Sequence, residues 1–173
     1  SIGGAVFMNA GAYDGEMKPV VSKVQAVAAS GRVVAYAQEE LEFGYRHSVF
    51  QDNGQAICEV TVSLQPGDPS LIQKKMDGFT ERRERKQPLE MPSAGSTFKR
   101  PEGYFAGTLI EQTGLKGFSV GGAQISAKHA GFVVNSGEAT AADVLNLIKE
   151  VQRQVYAKNG VKLFPEVRIL GEE

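Results

Sequence analysis

An α+β fold is what the 173-residue sequence predicts, and three features carry the prediction. Residues 20–28, 32–36 and 56–64 are rich in β-branched and small apolar residues with period-two alternation, the mark of half-buried strands. From residue 68 onward, stretches with helical periodicity are mixed with short apolar runs. A chain that is 42% apolar and 23% charged is ordinary globular material, able to bury a core. Strands first, then helices interspersed with short strands, is the order of an α+β fold rather than of a regularly alternating parallel sheet.

In chain order, Ser1 opens directly into Gly3-Gly4, read as a glycine turn, and small residues stay dense up to Gly15. Such density lets a backbone approach another backbone or a large ligand. A domain seldom begins inside a glycine loop, so a portion upstream of Ser1 is expected. Residues 20–28 and 32–36 form a hairpin around Ser30-Gly31. Residues 38–41 fit one helical turn, and residues 56–64 fit a strand. Asp68-Pro69 starts a helix, with the aspartate as N-cap and the proline at the first helical position, and Pro88 stops it. Ile72, Met76 and Phe79 are its apolar stripe. Its mixed-sign end, Glu81-Arg82-Arg83-Glu84-Arg85-Lys86, fits a solvated face with cations near the C-terminus. Residues 104–113 fit a short helix closed by Gly114, and residues 118–125 and 132–134 fit strands. Thr140 with Asp143 three residues later forms a capping box, followed by Val144, Ile148, Val151 and Val155 on one face and the stop Asn159-Gly160. A short strand is expected over residues 167–170.

Charge and composition exclude several functions. The 19 basic and 20 acidic residues leave a net charge of −1, which argues against a nucleic-acid surface. No apolar run approaches the length of a membrane span and no secretory signal is visible, so a cytoplasmic location is expected. The one cysteine, Cys58, lies in an apolar run and reads as a small buried core residue. His47 and His129 are far apart with no cysteine pair, so no metal is expected. Neither a Gly-x-x-x-x-Gly-Lys-Ser/Thr loop nor a Gly-x-Gly-x-x-Gly fingerprint occurs, and Ser96 lacks the Gly-x-Ser-x-Gly elbow of a serine hydrolase.

Three separated segments, otherwise small or apolar, offer distinct chemistry: a guanidinium in Phe43-Gly44-Tyr45-Arg46-His47-Ser48-Val49-Phe50, a hydroxyl in Pro92-Ser93-Ala94-Gly95-Ser96-Thr97-Phe98-Lys99-Arg100-Pro101, and a carboxyl in Phe164-Pro165-Glu166-Val167-Arg168. Read alone, Arg46 also fits a surface turn, Ser96 a turn or cap after Gly95, and Glu166 a solvated strand position. As an ordered set, with Ser1 to Gly15, Arg85-Lys86-Gln87-Pro88 and the segment from Gly114 to Asn135, they resemble the UDP-N-acetylenolpyruvoylglucosamine reductase (MurB) family over almost the whole chain.

That resemblance implies a flavoenzyme that uses FAD and NADPH to reduce the enolpyruvyl group of UDP-N-acetylglucosamine enolpyruvate to UDP-N-acetylmuramate. It implies Ser96 as proton donor, with Arg46 and Glu166 stabilising the intermediate. An arginine suits this role because its planar fork grips a carboxylate and keeps its charge. By the same resemblance Gly3, Gly4, Asn9, Gly11 and Ala12 lie along the FAD pyrophosphate, and Lys86, Arg100, His129 and Arg168 bind the nucleotide sugar. His129 read alone is equally a structural histidine. The implied organisation is the C-terminal part of a FAD-binding domain over residues 1–65, a connecting helix over 66–89 and a substrate-binding domain over 90–173. Gln65-Pro66-Gly67-Asp68 leads straight into the helix, as in the shorter subtype that lacks an inserted tyrosine-bearing loop. The family's flavin-binding glycine motif is expected upstream of Ser1. A flavin-free nucleotide-sugar-binding fragment, inactive on its own, is the alternative.

Overall fold

The computed structural model describes residues 1–171 and shows the expected mixture of helices and antiparallel strands. The chain divides into two compact units, Ser1–Lys75 and a second beginning at Met76.

The first unit opens with a helix, α1 (Ile2–Phe7), where the sequence suggested a glycine turn. Ser1 caps it, its Oγ accepting the Gly4 N–H at 3.2 Å. Two glycines in six residues make a poor helix by propensity. It persists because Val6 is fully buried. A two-residue hairpin follows, β1 (Gly11–Ala12) with β2 (Gly15–Glu16). The main sheet has β3 (Val21–Val27) in the centre, flanked antiparallel by β4 (Val33–Ala37) and β5 (Ala56–Val62). Between β4 and β5 lie the expected helical turn Gln38–Leu41, of 3-10 type, and a one-turn helix, α2 (Phe50–Asn53). Val6, Val21, Val24, Ala26, Leu41 and Phe50 form the core, with Tyr36 edge-on to Phe50 at 5.2 Å.

Cys58 is exposed, against the sequence expectation. The cause is a β-bulge: Gln25 pairs with Glu59 and Ala26 with Ile57, which leaves Cys58 as the extra residue. The bulge breaks the period of two, so Ile57 and Val60, three apart, both pack on the core.

Helix α3 (Pro69–Lys86) begins as predicted. Asp68 Oδ1 accepts from the Ser70 N–H at 2.7 Å, the Ser70 hydroxyl at 2.6 Å and the Leu71 N–H at 3.1 Å. These bonds, Ser70's hydroxyl first, hold the Asp68 carboxyl below its ordinary value. The expected apolar stripe is only partly covered: Ile72 and Met76 remain exposed, Phe79 is half-buried, and no residue of α3 is fully buried. No helix of the described residues is long and apolar enough to cross a membrane.

The second unit is a four-stranded antiparallel sheet in the order β6 (Ser93–Ser96), β9 (Phe132–Asn135), β8 (Ala123–Ile125), β7 (Ser119–Val120). Helices α4 (Ala106–Thr113) and α5 (Ala141–Asn159) share its core, with Leu109, Ile110, Ala123, Ile125, Leu147, Val151 and Val155 nearly or wholly buried. Each of the leucine, isoleucine and valine side chains contributes about 1.5–3 kcal/mol on leaving water.

The single strand expected over residues 118–125 is instead the hairpin β7–β8, turned at Gly121-Gly122. A Cβ on Gly122 would collide with the Gly137 carbonyl and with the Ala139 backbone, so the chain passes there only without a side chain. The Gly122 N–H also reaches the Asp143 carboxylate. That carboxylate completes the capping box of α5, accepting the Thr140 N–H at 2.9 Å while Thr140 Oγ1 accepts the Asp143 N–H at 3.1 Å.

The strand expected over 167–170 is absent. Pairing falls earlier, around the Phe98–Pro165 bridge, and Ile169 and Leu170 are exposed. Phe98 is buried and anchors this pairing, whereas the apolar run beyond it finds no partner strand.

His129 fills a notch between two glycines: Cβ atoms on Gly107 and Gly131 would lie 3.6 Å and 3.0 Å from its Cε1. Its Nδ1 accepts the Gly131 N–H at 3.1 Å and its ring meets Phe132 edge-on at 4.9 Å. Burial, with Lys116 and Lys86 adding to it, holds the imidazole below 6.5.

Two predictions follow from this packing. Gly122→Ala should destabilise the second unit by about 1–3 kcal/mol or more, the range for forced overpacking. Thr140→Ala should cost about 1 kcal/mol through loss of the cap. Urea denaturation followed by circular dichroism ranks the two, and a harmless Gly122→Ala would refute the close approach. For His129, a lowered folded pKa means that its contribution is complete above about pH 6.5 and is lost as pH falls through the folded value. Wild-type stability should therefore drop as pH falls below about 6.5, and His129→Asn, which keeps an acceptor but does not titrate, should show a smaller drop. An identical drop in both proteins would remove His129 as the source.

Candidate functional site

In the first unit the candidate chemistry sits on loops tied together by side chains. Gly44 and His47 exchange backbone hydrogen bonds at 3.2 and 3.3 Å, which leaves Tyr45 and Arg46 at the tip of a tight turn. Arg46 takes the left-handed conformation, φ 54°. For a residue with a Cβ this costs roughly 1–2 kcal/mol and persists only where surroundings impose it. The half-buried guanidinium reaches Gly11 O at 3.4 Å through Nη1 and stands 5.3 Å from the Tyr45 ring centre.

Buried Asn9, also left-handed at φ 40°, spends its amide on the same loops. Its Nδ2 donates to Gly44 O at 3.0 Å and to Glu16 Oε2 at 3.1 Å, and its Oδ1 accepts the Lys18 N–H at 2.9 Å. Buried Ser48 donates from Oγ to Phe7 O at 2.8 Å. Gln51 Nε2 donates to the same carbonyl at 2.9 Å and to Arg46 O at 2.8 Å. Sequence reading missed Ser48 and Gln51. The only signal was that Ser48 lies in the segment that carries Arg46 and Gln51 directly follows it, and nothing there says which polar residues face inward. Glu42, His47 and Asp52 also gather close together, His47 Nε2 lying 3.3 Å from Asp52 Oδ2. Their spacing of five residues each way matches no metal motif, so nothing in the sequence points to them.

The five residues expected along a flavin nucleotide divide into two places. Gly3 and Gly4 lie in the first turn of α1 and line a cleft of about 280 Å³ with Ser1, Phe7, Gln55 and Ile57. A Cβ on Gly3 would meet Ile57 only at 3.7 Å, an ordinary contact, so the local packing does not demand glycine there. Gln55 Oε1 is buried without a hydrogen-bond donor. A cleft whose glycine side carries no side chain, with Gln55 and its unmet acceptor also in the lining, fits a ligand carrying hydroxyl or amino groups, as a flavin nucleotide does. Asn9, Gly11 and Ala12 belong to the other place, the β1–β2 hairpin and its approach. Its tip residues Tyr13 and Asp14 are both left-handed, φ 52° and 65°.

In the second unit backbone pairing sets Glu166 against Thr97, the neighbour of Ser96. The Glu166 N–H donates to Thr97 O at 2.8 Å and the Lys99 N–H to Phe164 O at 2.8 Å, on either side of the Phe98–Pro165 bridge. Buried Thr97 is locked from three directions. Its N–H donates to Gly131 O at 2.9 Å, its Oγ1 accepts the Val133 N–H at 3.1 Å, and its carbonyl takes the Glu166 bond. Ser96 precedes it at an irregularity of β6, where the four residues from Ser93 to Ser96 face the three from Val134 to Phe132. Gly95 absorbs the bulge at φ 90°, and the Ser96 side chain is exposed.

The four residues expected to hold the nucleotide sugar are spread out. Lys86, at the end of α3, is close enough to depress the His129 pKa, which places those two near each other. His129 has the structural role described above, and through Gly131 it supports Thr97. The Arg100 guanidinium stacks over Phe105 at 4.1 Å. Arg168 lines a largely apolar cavity of about 440 Å³ with Ser93, Thr97, Val134 and Ile148, a cavity that includes none of the other predicted site residues.

Comparison with known proteins adds an independent line. Residues 87–170 match the family "UDP-N-acetylenolpyruvoylglucosamine reductase, C-terminal domain". All 173 residues align with the UDP-N-acetylenolpyruvoylglucosamine reductases of Clostridium perfringens, at 56% identity, and Limosilactobacillus reuteri, at 55%. The chain spans 57% and 58% of the length of these relatives. The crystal structure of the Thermus caldophilus UDP-N-acetylenolpyruvylglucosamine reductase (MurB) superposes on 96% of this chain, with a TM-score of 0.84 and 38% identity, the match covering 59% of that protein. By sequence and by fold, the chain is similar to the UDP-N-acetylenolpyruvoylglucosamine reductases along its whole length, and residues 87–170 match the family's C-terminal domain.

Proposed function

We propose that this chain serves the reduction of the enolpyruvyl group of UDP-N-acetylglucosamine enolpyruvate to UDP-N-acetylmuramate, in the cytoplasm, for peptidoglycan synthesis, with FAD and NADPH as redox cofactors. The activity for which its relatives are named supports the reaction class. The observation behind the residue assignment is the backbone bond from the Glu166 N–H to Thr97 O, which holds Glu166 against the residue that follows Ser96 on a locked frame.

When bound, the flavin supplies the reducing equivalents drawn from NADPH. Ser1, Gly3, Gly4 and Gln55 around the first cleft, and the β1–β2 hairpin, are the residues of this chain that would hold it. Addition at C3 of the enolpyruvyl group leaves carbanion character at C2, next to a carboxylate. Ser96 Oγ–H delivers the proton to C2 and, being exposed, regains one from solvent. An alkanol is a weak acid and suits only so basic a carbon. Arg46 grips the substrate carboxylate and answers the growing negative charge. Glu166 acts on the same developing charge, held by its backbone bond to Thr97. Lys86, Arg100 and Arg168 serve the anionic nucleotide sugar, and His129 shapes the loop beside Ser96.

In the flavin-loaded reductase carrying this sequence, Ser96→Ala should leave flavin bleaching by NADPH within about threefold of wild type. Reoxidation by the enolpyruvyl sugar should slow by about a hundredfold, the low end for a lost general acid. Stopped-flow absorbance separates the steps, and the reverse pattern would strip Ser96 of its role. Arg46→Lys should lower turnover by at least about tenfold, since lysine keeps the charge and loses the two-pronged grip. Steady-state kinetics check this, and unchanged turnover would remove Arg46 from the site. The second unit closes a core of its own, which leaves flavin-free nucleotide-sugar binding as the competing reading. A protein with no flavin absorbance that still binds the sugar would favour it.

A further inference from the structure

We infer that Gln51 is a positioning residue for Arg46: its side-chain amide holds the turn that presents the guanidinium. The inference rests on the assignment of Arg46 above. The turn contains a residue with a Cβ in the left-handed region, φ 54°, a conformation that relaxes unless something opposes it. Its own bonds, between Gly44 and His47, are long at 3.2 and 3.3 Å. The shorter restraint comes from outside. Gln51 Nε2 donates at 2.8 Å to the carbonyl of Arg46 itself. Fixing that carbonyl fixes ψ of Arg46. With φ set by the turn, the direction in which the side chain leaves the backbone is then set as well.

The second hydrogen of the same amide goes to Phe7 O at 2.9 Å, which Ser48 also engages. Phe7 ends α1, so its carbonyl lacks a helical partner and is a natural acceptor. Gln51 therefore ties the Arg46 turn to the end of α1, 44 residues away in sequence. Gln51 is itself held in α2 next to Phe50, which is buried in the core of this unit. The chain of restraint runs from core to helix to amide to the backbone of Arg46. Both amide hydrogens are used as donors, which a carboxylate of the same shape cannot supply.

Backbone exchange in the 173-residue chain tests the holding role. Amide hydrogen exchange by NMR should accelerate at His47 by about tenfold or more in Gln51→Ala and equally in Gln51→Glu, while Val24 and Val60 in the sheet stay unchanged. Unaltered exchange at His47, or recovery in Gln51→Glu, would overturn the inference, because a packing role needs only the shape. Equal acceleration in the sheet would also overturn it, showing general destabilisation. In the flavin-loaded reductase, Gln51→Ala should lower kcat/KM for the enolpyruvyl sugar by about tenfold with the NADPH step within about threefold. In an Arg46→Lys background the same change should add less than about twofold, since the two residues act through one group. Full additivity would overturn the link to Arg46. If Arg46→Lys alone leaves turnover intact, the functional assignment of Arg46 fails, and the exchange measurement still decides whether Gln51 holds the turn.

Discussion

Arg46 sits at φ 54° and Ser96 follows Gly95 at φ 90°: both candidate groups stand where regular backbone breaks, and each break is held by residues distant in sequence. Backbone polar groups that leave a helix or ladder must find other partners or lose free energy. In the first unit the partners are side chains, with the carbonyls of Phe7, Gly44 and Arg46 taken by Ser48, Asn9 and Gln51. In the second they are backbone groups, with Thr97 bonded to Gly131 on one side and Glu166 on the other. The loops are thus irregular in path and firmly held, as groups that must meet a substrate at fixed distances require.

The two solutions differ in what can disturb them. A side-chain clamp can be cut by one substitution with little effect on the sheet, because the core of Val21, Val24, Leu41 and Phe50 does not depend on it. The pairing of residues 97–99 with 164–166 is part of the packing of its unit, anchored by Phe98 and Leu163 in the same core as Val151 and Ile110. Placement of Ser96 and Glu166 is therefore bound to the stability of the second unit, whereas placement of Arg46 is a local matter in the first. His129 belongs with the former: its ring fills a glycine notch and holds the Gly131 backbone that meets Thr97.

Much of this was legible in the sequence. Capping chemistry is local, so Asp68-Pro69 and Thr140 with Asp143 announced their helices. The hairpin at Ser30-Gly31 and the stops at Gly114 and Gly160 were equally plain, because glycine meets a left-handed backbone without strain. The segments holding Arg46, Ser96 and Glu166 stood out because each places one reactive group among small or apolar neighbours. The errors also have one physical origin. α1 forms in spite of its glycines because Val6 is buried, Cys58 is exposed because a bulge shifts the register, and the last strand fails because pairing stops at residue 166.

The sequence by itself determined the α+β class, the helix ends, the family likeness and the residues with chemistry to offer, since these depend on local backbone preference and on the identity of neighbours. Only the tertiary structure decided that Asn9 clamps loops, that Gln51 reaches both Phe7 and Arg46, that His129 braces Gly131, and that Glu166 lies against Thr97. Those contacts join residues from different segments, most of them far apart along the chain. They arise when separate elements bury their apolar faces together, and a polar side chain's partner is known only once that burial has chosen which backbone groups lie within 3 Å of it.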